Sequence, residues 1–223
     1  MEQLKITELF KDLSQSIAGE WLQKYEYPWE AFPHIGEMIV EIGKTLPAQE
    51  YEKRGENIWI HKSAKVFDSA YVGGPCIIGP NTEVRQCAFI RGNALVGADC
   101  VVGNSTELKN VILFNHVQVP HYNYVGDSIL GYYSHMGAGS ITSNVKSDKT
   151  LVTVAVEGQK VETNLKKFGA VLGDYVEVGC NSVLNPGTVV GAHSNIYPLS
   201  MVRGYVEADS IFKKQDEIVK KQG

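Results

Sequence analysis

The stretch Ile60–Leu108, divided as IHKSAK VFDSAY VGGPCI IGPNTE VRQCAF IRGNAL VGADCV VGNSTE L, decides the fold. Ile60, Val66, Val72, Ile78, Val84, Ile90, Val96, Val102 and Leu108 fall six residues apart without a break. Four residues after each of the first eight comes a small side chain: Ala64, Ala70, Cys76, Thr82, Ala88, Ala94, Cys100 and Thr106. Self-similarity at a fixed short period is the signature of a parallel β-helix built from hexapeptide repeats. Three hexads make one triangular coil, in which each aliphatic side chain points inward and stacks on its equivalent in the next coil. The small residue fits the tight corner. The period fails after Leu108 and resumes at Leu172, continuing through Val178, Leu184, Val190, Ile196 and Val202.

Composition agrees with a turn-rich β protein. Glycine is abundant at 22 residues, and valine, isoleucine and tyrosine are frequent. A net charge of -4 and the lack of any long basic run argue against a nucleic-acid surface. The four cysteines, Cys76, Cys87, Cys100 and Cys180, form no C-x-x-C pair and suit a reducing compartment. The N-terminal segment has no signal-peptide pattern and no apolar run long enough for a bilayer, so the expectation is a cytoplasmic protein with no membrane partner.

On either side of the repeat the pattern changes. Residues 1–50 place Leu4, Leu9, Phe10, Leu13 and Ile17, then Ile35 to Leu46, at helical spacing. The expectation is two or three short amphipathic helices that dock on the repeat domain, residues 58–207, or on a neighbouring subunit. Residues 145–168 alternate polar and apolar around Glu157-Gly158, which predicts a hairpin thrown out of the solenoid as a substrate cover or subunit clasp. The apolar spacing of Ile211, Phe212, Ile218 and Val219 predicts a C-terminal helix over 208–223 that closes the open end.

Candidate chemistry concentrates in Pro120–Asn144, PHYNYVGDSILGYYSHMGAGSITSN, which joins a histidine among tyrosines to a glycine-flanked run. The motif H-Y-N-Y-V-G-D followed by M-G-A-G-S-I-T-S-N resembles the H-L-S-Y-L-G-D and N-I-G-A-G-T-I-T-x-N of the hexapeptide-repeat acyltransferases. Within them it is similar to the acetyltransferase domain of the bifunctional enzyme that makes UDP-N-acetylglucosamine. The partner uridylyltransferase domain has no counterpart here. The resemblance continues upstream through I-R-G at Ile90–Gly92 and G-N-S-T-E-L-K at Gly103–Lys109.

That resemblance implies a left-handed β-helix, assembly as a homotrimer, and active sites in clefts between subunits. It implies acetyl-CoA as co-substrate and an amino-sugar 1-phosphate, glucosamine-1-phosphate or its galacto epimer, as acceptor. His121 stands where the general base stands and Glu107 where an acid orients it. Arg91 and Lys109 match the phosphate-binding cations; their separation of 18 residues, one full coil, independently predicts that they share a face. Tyr124 and Lys149 match sugar contacts. Gly137, Ala138 and Gly139 match the backbone that receives the cofactor, with the Ala138 amide on the thioester carbonyl. Two positions depart from the pattern: His135 replaces a sugar-contacting asparagine, and Cys180 a cofactor-contacting serine.

The chemistry itself fits those residue types. Amide formation from a thioester needs a neutral amine, and an imidazole accepts the proton that the amine sheds. Two other readings compete. His116 and His121 lie five apart, as two ligands of a trimeric metal hydratase of the γ carbonic anhydrase type do, but Pro80 occupies the place expected for the third. A β-helix can also serve as a non-catalytic assembly or regulatory module. Acyl transfer with no resident metal is the reading adopted.

Overall fold

A computed structural model describes residues 1–214 and 217–221. The repeat winds into a parallel β-helix with three apolar stacks in its interior. One stack runs Ile60, Ile78, Val96, Leu113, Leu130, Leu172, Val190 and Val206. A second contains Val66, Val84, Val102, Val119, Met136, Val178, Ile196 and Phe212. The third contains Val72, Ile90, Leu108 and Val125, then Thr142, Leu184 and Val202. Nearly all of these side chains are buried, so the hexad aliphatics are the core.

The repeat does not stop at Leu108; it shortens. Val102 stacks on Val119 and Leu108 on Val125, seventeen residues on, where the preceding coils step by eighteen. One residue is missing from each of two coils, and a reading of fixed period loses phase there. The deletion removes a corner turn. Glu107–Leu113 and Tyr124–Leu130 therefore run as continuous strands around the bend, with Asn110 and Asp127 in left-handed backbone conformations at the corner.

One face carries a second apolar row that is fully buried. Beside the inward stack, Ile77, Leu95, Ile112, Ile129, Val171 and Val189 point outward, and all are fully buried. The N-terminal region covers them. Its helices are α1 (Ile6–Leu9), α2 (Gly19–Leu22) and α3 (Ile35–Thr45), joined by 3-10 turns. α3 packs over the strands Cys76–Ile78, Ala94–Val96 and Glu107–Leu113. Phe10 stacks on Phe114 at 4.8 Å, and Trp29 and Phe32 both pack against Phe168. Asp174 accepts from the Lys11 and Tyr132 amides at 2.8 and 2.9 Å, which pins the wrap to two coils at once. The region docks on its own solenoid.

Val152–Val156 and Gln159–Leu165 form an antiparallel hairpin that turns at Glu157-Gly158, both with positive φ. The C-terminal helix is corrected to strands. Ser210–Lys214 pairs with Asn195–Ile196 and folds back against Glu217–Lys220. Phe212 continues the interior stack on Ile196 and is 1% exposed, so burial on the last coil outweighs the helical spacing. Among the described residues, no helix is long and apolar enough to cross a membrane.

Candidate active site

The chain path around His121 follows from one close approach. Val101–Asn104 lies beside Gln118–His121, and Gly103 faces the Pro120 backbone so closely that a Cβ would overlap its carbonyl. His121, in register with Asn104, ends its strand at a corner. Its amide donates to Asn123 Oδ1 at 3.1 Å, and its carbonyl accepts from the Gly139 amide at 3.0 Å. Asn123, 2% exposed, turns its Nδ2 to the Gly137 and Ser140 carbonyls at 2.9 and 3.1 Å. One buried amide thus fastens the histidine to the glycine run of the next coil. The imidazole is exposed and neither ring nitrogen bonds to another group among the described residues.

Gly139 has φ +71 and lies against Asn181, where a side chain would collide. The Ala138 carbonyl accepts from the Asn181 amide at 2.8 Å, while among the described residues the Ala138 amide donates to nothing. A free amide on a partly exposed residue, one position before the amide that bonds the His121 carbonyl, fits a carbonyl oxygen that gains charge. A Cβ on Gly137 would meet the Cys180 backbone nitrogen at 2.7 Å, so the two coils close together here. Gly137, Cys180, His135, Glu177, Tyr197 and Pro198 line a shallow groove of about 380 Å³. This groove is open enough for an extended acyl carrier arm and has no side chain at Gly137 to block it. The His135 ring is held by Glu177, Nδ1 to Oε2 at 2.7 Å.

A charged cluster occupies the neighbouring face. Arg91 and Lys109 share it, since the Arg91 amide bonds the Leu108 carbonyl one coil on. Each cation meets a carboxylate. Arg91 donates to Glu107 at 2.8 Å, and Lys109 to both oxygens of Asp127 at 2.8 and 3.1 Å. Asp127 also accepts from Asn110 at 3.0 Å and Asn144 at 2.6 Å, and Asn144 reaches the Tyr124 hydroxyl at 3.2 Å. Burial, then the charges of Asp127 and Glu107, push the Tyr124 phenol above its ordinary range, so it is a neutral donor near pH 7.

Two expectations change at this point. Glu107 was expected to orient the His121 ring; instead its carboxylate engages Arg91. The reason is register: Glu107 aligns with Phe89 and Tyr124 on one face, whereas His121 aligns with Asn104 on another. Lys149 lies in an exposed turn, its amide bonded to the Lys146 carbonyl, and no contact joins it to the cluster among the described residues. His116, the second histidine of the hydratase reading, stacks on Tyr133 at 4.4 Å on a different corner from His121. Asn123, Asp127 and Asn144 were not singled out from sequence, although all three fall within Pro120–Asn144. A buried carboxylate in N-Y-V-G-D was the available signal.

A family model described as the GMPPB C-terminal domain matches residues 72–206. The bifunctional protein GlmU of Methanococcus vannielii is 37% identical over 153 residues, 69% of this chain and 34% of that protein. The bifunctional sugar-1-phosphate nucleotidylyltransferase/acetyltransferase of Sulfurisphaera tokodaii is 33% identical over 105 residues, 47% of this chain and 26% of that protein. The chain therefore spans between about a quarter and a third of these relatives. A solved hexapeptide transferase family protein from Anaplasma phagocytophilum aligns at TM-score 0.42 and 14% identity, over 74% of this chain and 80% of the other.

Proposed function

The chain belongs to the family of the GMPPB C-terminal domain, and on that premise we propose that it is an acetyl-CoA-dependent N-acetyltransferase. Its proposed acceptor is an amino-sugar 1-phosphate. The observation that carries this reading is the corner at which Asn123 fastens His121 to the Gly137–Ser140 run, beside a free Ala138 amide and the Cys180 groove. Base, carbonyl-polarising donor and carrier groove meet at one place.

Acetyl-CoA supplies an activated acyl group as a thioester. Gly137 and Cys180 give its arm a backbone-lined path, and the Ala138 N–H takes the negative charge that develops on the carbonyl oxygen. His121 accepts the proton shed by the amine as the carbon–nitrogen bond forms; the carbon–sulfur bond then breaks, and the departing thiolate takes that proton back from the imidazolium to leave as CoA thiol. Arg91 is the exposed cation of the cluster and can share its guanidinium between Glu107 and a sugar phosphate. Lys109, held by both oxygens of a buried carboxylate, sets the field and positions Arg91's neighbours more than it contacts ligand. Tyr124 donates its phenolic proton to a sugar oxygen.

Large apolar side chains flank the corner: Tyr122 is 66% exposed and Leu199 79%. These favour a trimer in which another copy closes the site, to be checked by sedimentation equilibrium. The activity is tested by following CoA thiol release with glucosamine-1-phosphate and galactosamine-1-phosphate as acceptors. Turnover is expected with one epimer, with His121→Ala reducing kcat by about 100- to 10,000-fold and leaving KM nearly unchanged. Release no faster than spontaneous hydrolysis with either acceptor rejects this assignment.

A further inference from the structure

A second cavity lies between the hairpin and the last coils, and nothing in the acetyl-transfer reading uses it. Its volume is about 470 Å³, within the range of about 300–1,000 Å³ common to small-molecule sites. One wall is a row of residues from successive coils, Ser143, Asn185 and Arg203; the Ser143 amide bonds the Leu184 carbonyl and the Asn185 amide that of Val202. The facing wall comes from the hairpin, where Ala155 pairs with Lys160 and Thr153 shares their face. Lys146 and Asp148, from the turn that starts the excursion, complete the lining.

The charges do not balance. Lys146, Lys160 and Arg203 meet a single carboxylate, Asp148. That carboxylate is already engaged: the Thr150 amide and hydroxyl donate to it at 3.0 and 2.8 Å and hold it below the usual carboxylate range. Lys146 pairs with it at 3.5 Å and also donates to the Thr150 hydroxyl at 2.6 Å. Among the described residues, Lys160 and Arg203 form no ion pair. Two uncompensated cations in a polar cleft, one of them an arginine able to chelate two oxygens, select a polyanion. Among the described residues no aromatic ring lines the cavity, so a ligand is held there by its anionic groups and not by stacking of a base.

We propose that this cavity binds a diphosphate group carried by a small molecule. It begins at Ser143, two coil steps beyond Lys109, and extends away from the Arg91–Lys109 cluster. Arg203 stands on the same row as those two cations but four coil steps beyond Lys109. At about 4.8 Å per step, that is about 19 Å. The hairpin is the part of the chain that makes the cavity, which gives a purpose to an excursion the solenoid does not need. The proposal stands on this geometry whether or not the chain acetylates a sugar. Two kinds of molecule bring a diphosphate to such an enzyme: CoA itself, and a nucleoside diphosphate of the class formed when a sugar phosphate is activated.

The test is calorimetric titration of inorganic pyrophosphate into the full chain in an Arg91→Ala background, which removes the exposed cation of the other cluster. Lys160→Ala and Arg203→Ala are each expected to weaken binding at least tenfold, with thermal unfolding unchanged, and added salt should weaken binding further. Competition with ADP and with CoA then identifies the source. Displacement by CoA assigns the cavity to the carrier, and displacement by ADP alone assigns it to a nucleotide product. Failure of both to compete, no pyrophosphate binding at millimolar concentration, or affinity unaltered by both substitutions overturns the proposal.

Discussion

At the scale of single residues, partners decide what each charged group can do. The Asp127 carboxylate is almost fully covered, with a side-chain exposure of 5%, and Lys109 is its cation. Lys109→Met leaves that carboxylate with only amide donors, and removing one member of a buried pair costs about 3–5 kcal/mol. A drop of that size in urea-unfolding free energy is expected, larger than for Arg91→Met, whose pair with Glu107 is open to solvent and of small value. The cysteines divide the same way. Burial pushes the Cys100 thiol up to about 12 and raises Cys76 as well, so both are inert. Maleimide should label Cys87 and Cys180 in the native protein, with acetyl-CoA slowing labelling at Cys180 alone. Mass mapping with and without the co-substrate checks this, and equal protection of Cys87 would contradict it.

At the scale of elements, the stacks and corners divide stability from positioning. Leu113 is fully buried between Val96 and Leu130 in the first stack. Leu113→Ala should cost about 2–5 kcal/mol, because neighbouring coils cannot close the cavity without shifting their hydrogen-bond ladders. Gly103→Ala acts differently. Its Cβ pushes on the Pro120 carbonyl and so displaces the strand end that carries His121. A displacement of about 1 Å can cost about 100-fold in rate, so activity should fall by roughly that factor while the circular dichroism spectrum of the β-helix persists. An unchanged rate would mean that the corner adapts without moving the imidazole.

At the scale of the whole molecule, the N-terminal wrap turns one of three equivalent faces into an interior. Phe10 is 1% exposed and stacks on Phe114, so Phe10→Ala should cost about 3–5 kcal/mol. Limited proteolysis of that variant should cut within residues 1–46 well before the solenoid; simultaneous cutting of the coils would show that wrap and coils fold as one unit. With that face covered by the chain itself, the two remaining faces carry the proposed site: the Arg91–Lys109 cluster on one and the Gly137–Cys180 groove on the other, with His121 at a corner between strands.

The sequence by itself determined the parallel β-helix, because aliphatics six residues apart stack inward when the chain winds into triangular coils, and it singled out the segment that holds the candidates His121, Ala138 and Tyr124. Doublets such as Ile77-Ile78, Leu95-Val96 and Val189-Val190 recur on every third hexad and mark the face that the N-terminal region covers, a signal that the helical spacing of residues 1–50 does not by itself reveal. What only the tertiary structure decided was pairing across coils. With one residue lost from the corner, Asn110 meets Asp127, seventeen residues on, and Lys109 reaches that same carboxylate from the preceding position, while Glu107 turns to Arg91 instead of His121. The C-terminal segment followed the same logic: its local spacing is helical, but the exposed edge of the last coil offered it backbone hydrogen bonds and a place for Phe212. Local pattern sets which side chains turn inward; the number of residues per coil sets which of the others become neighbours.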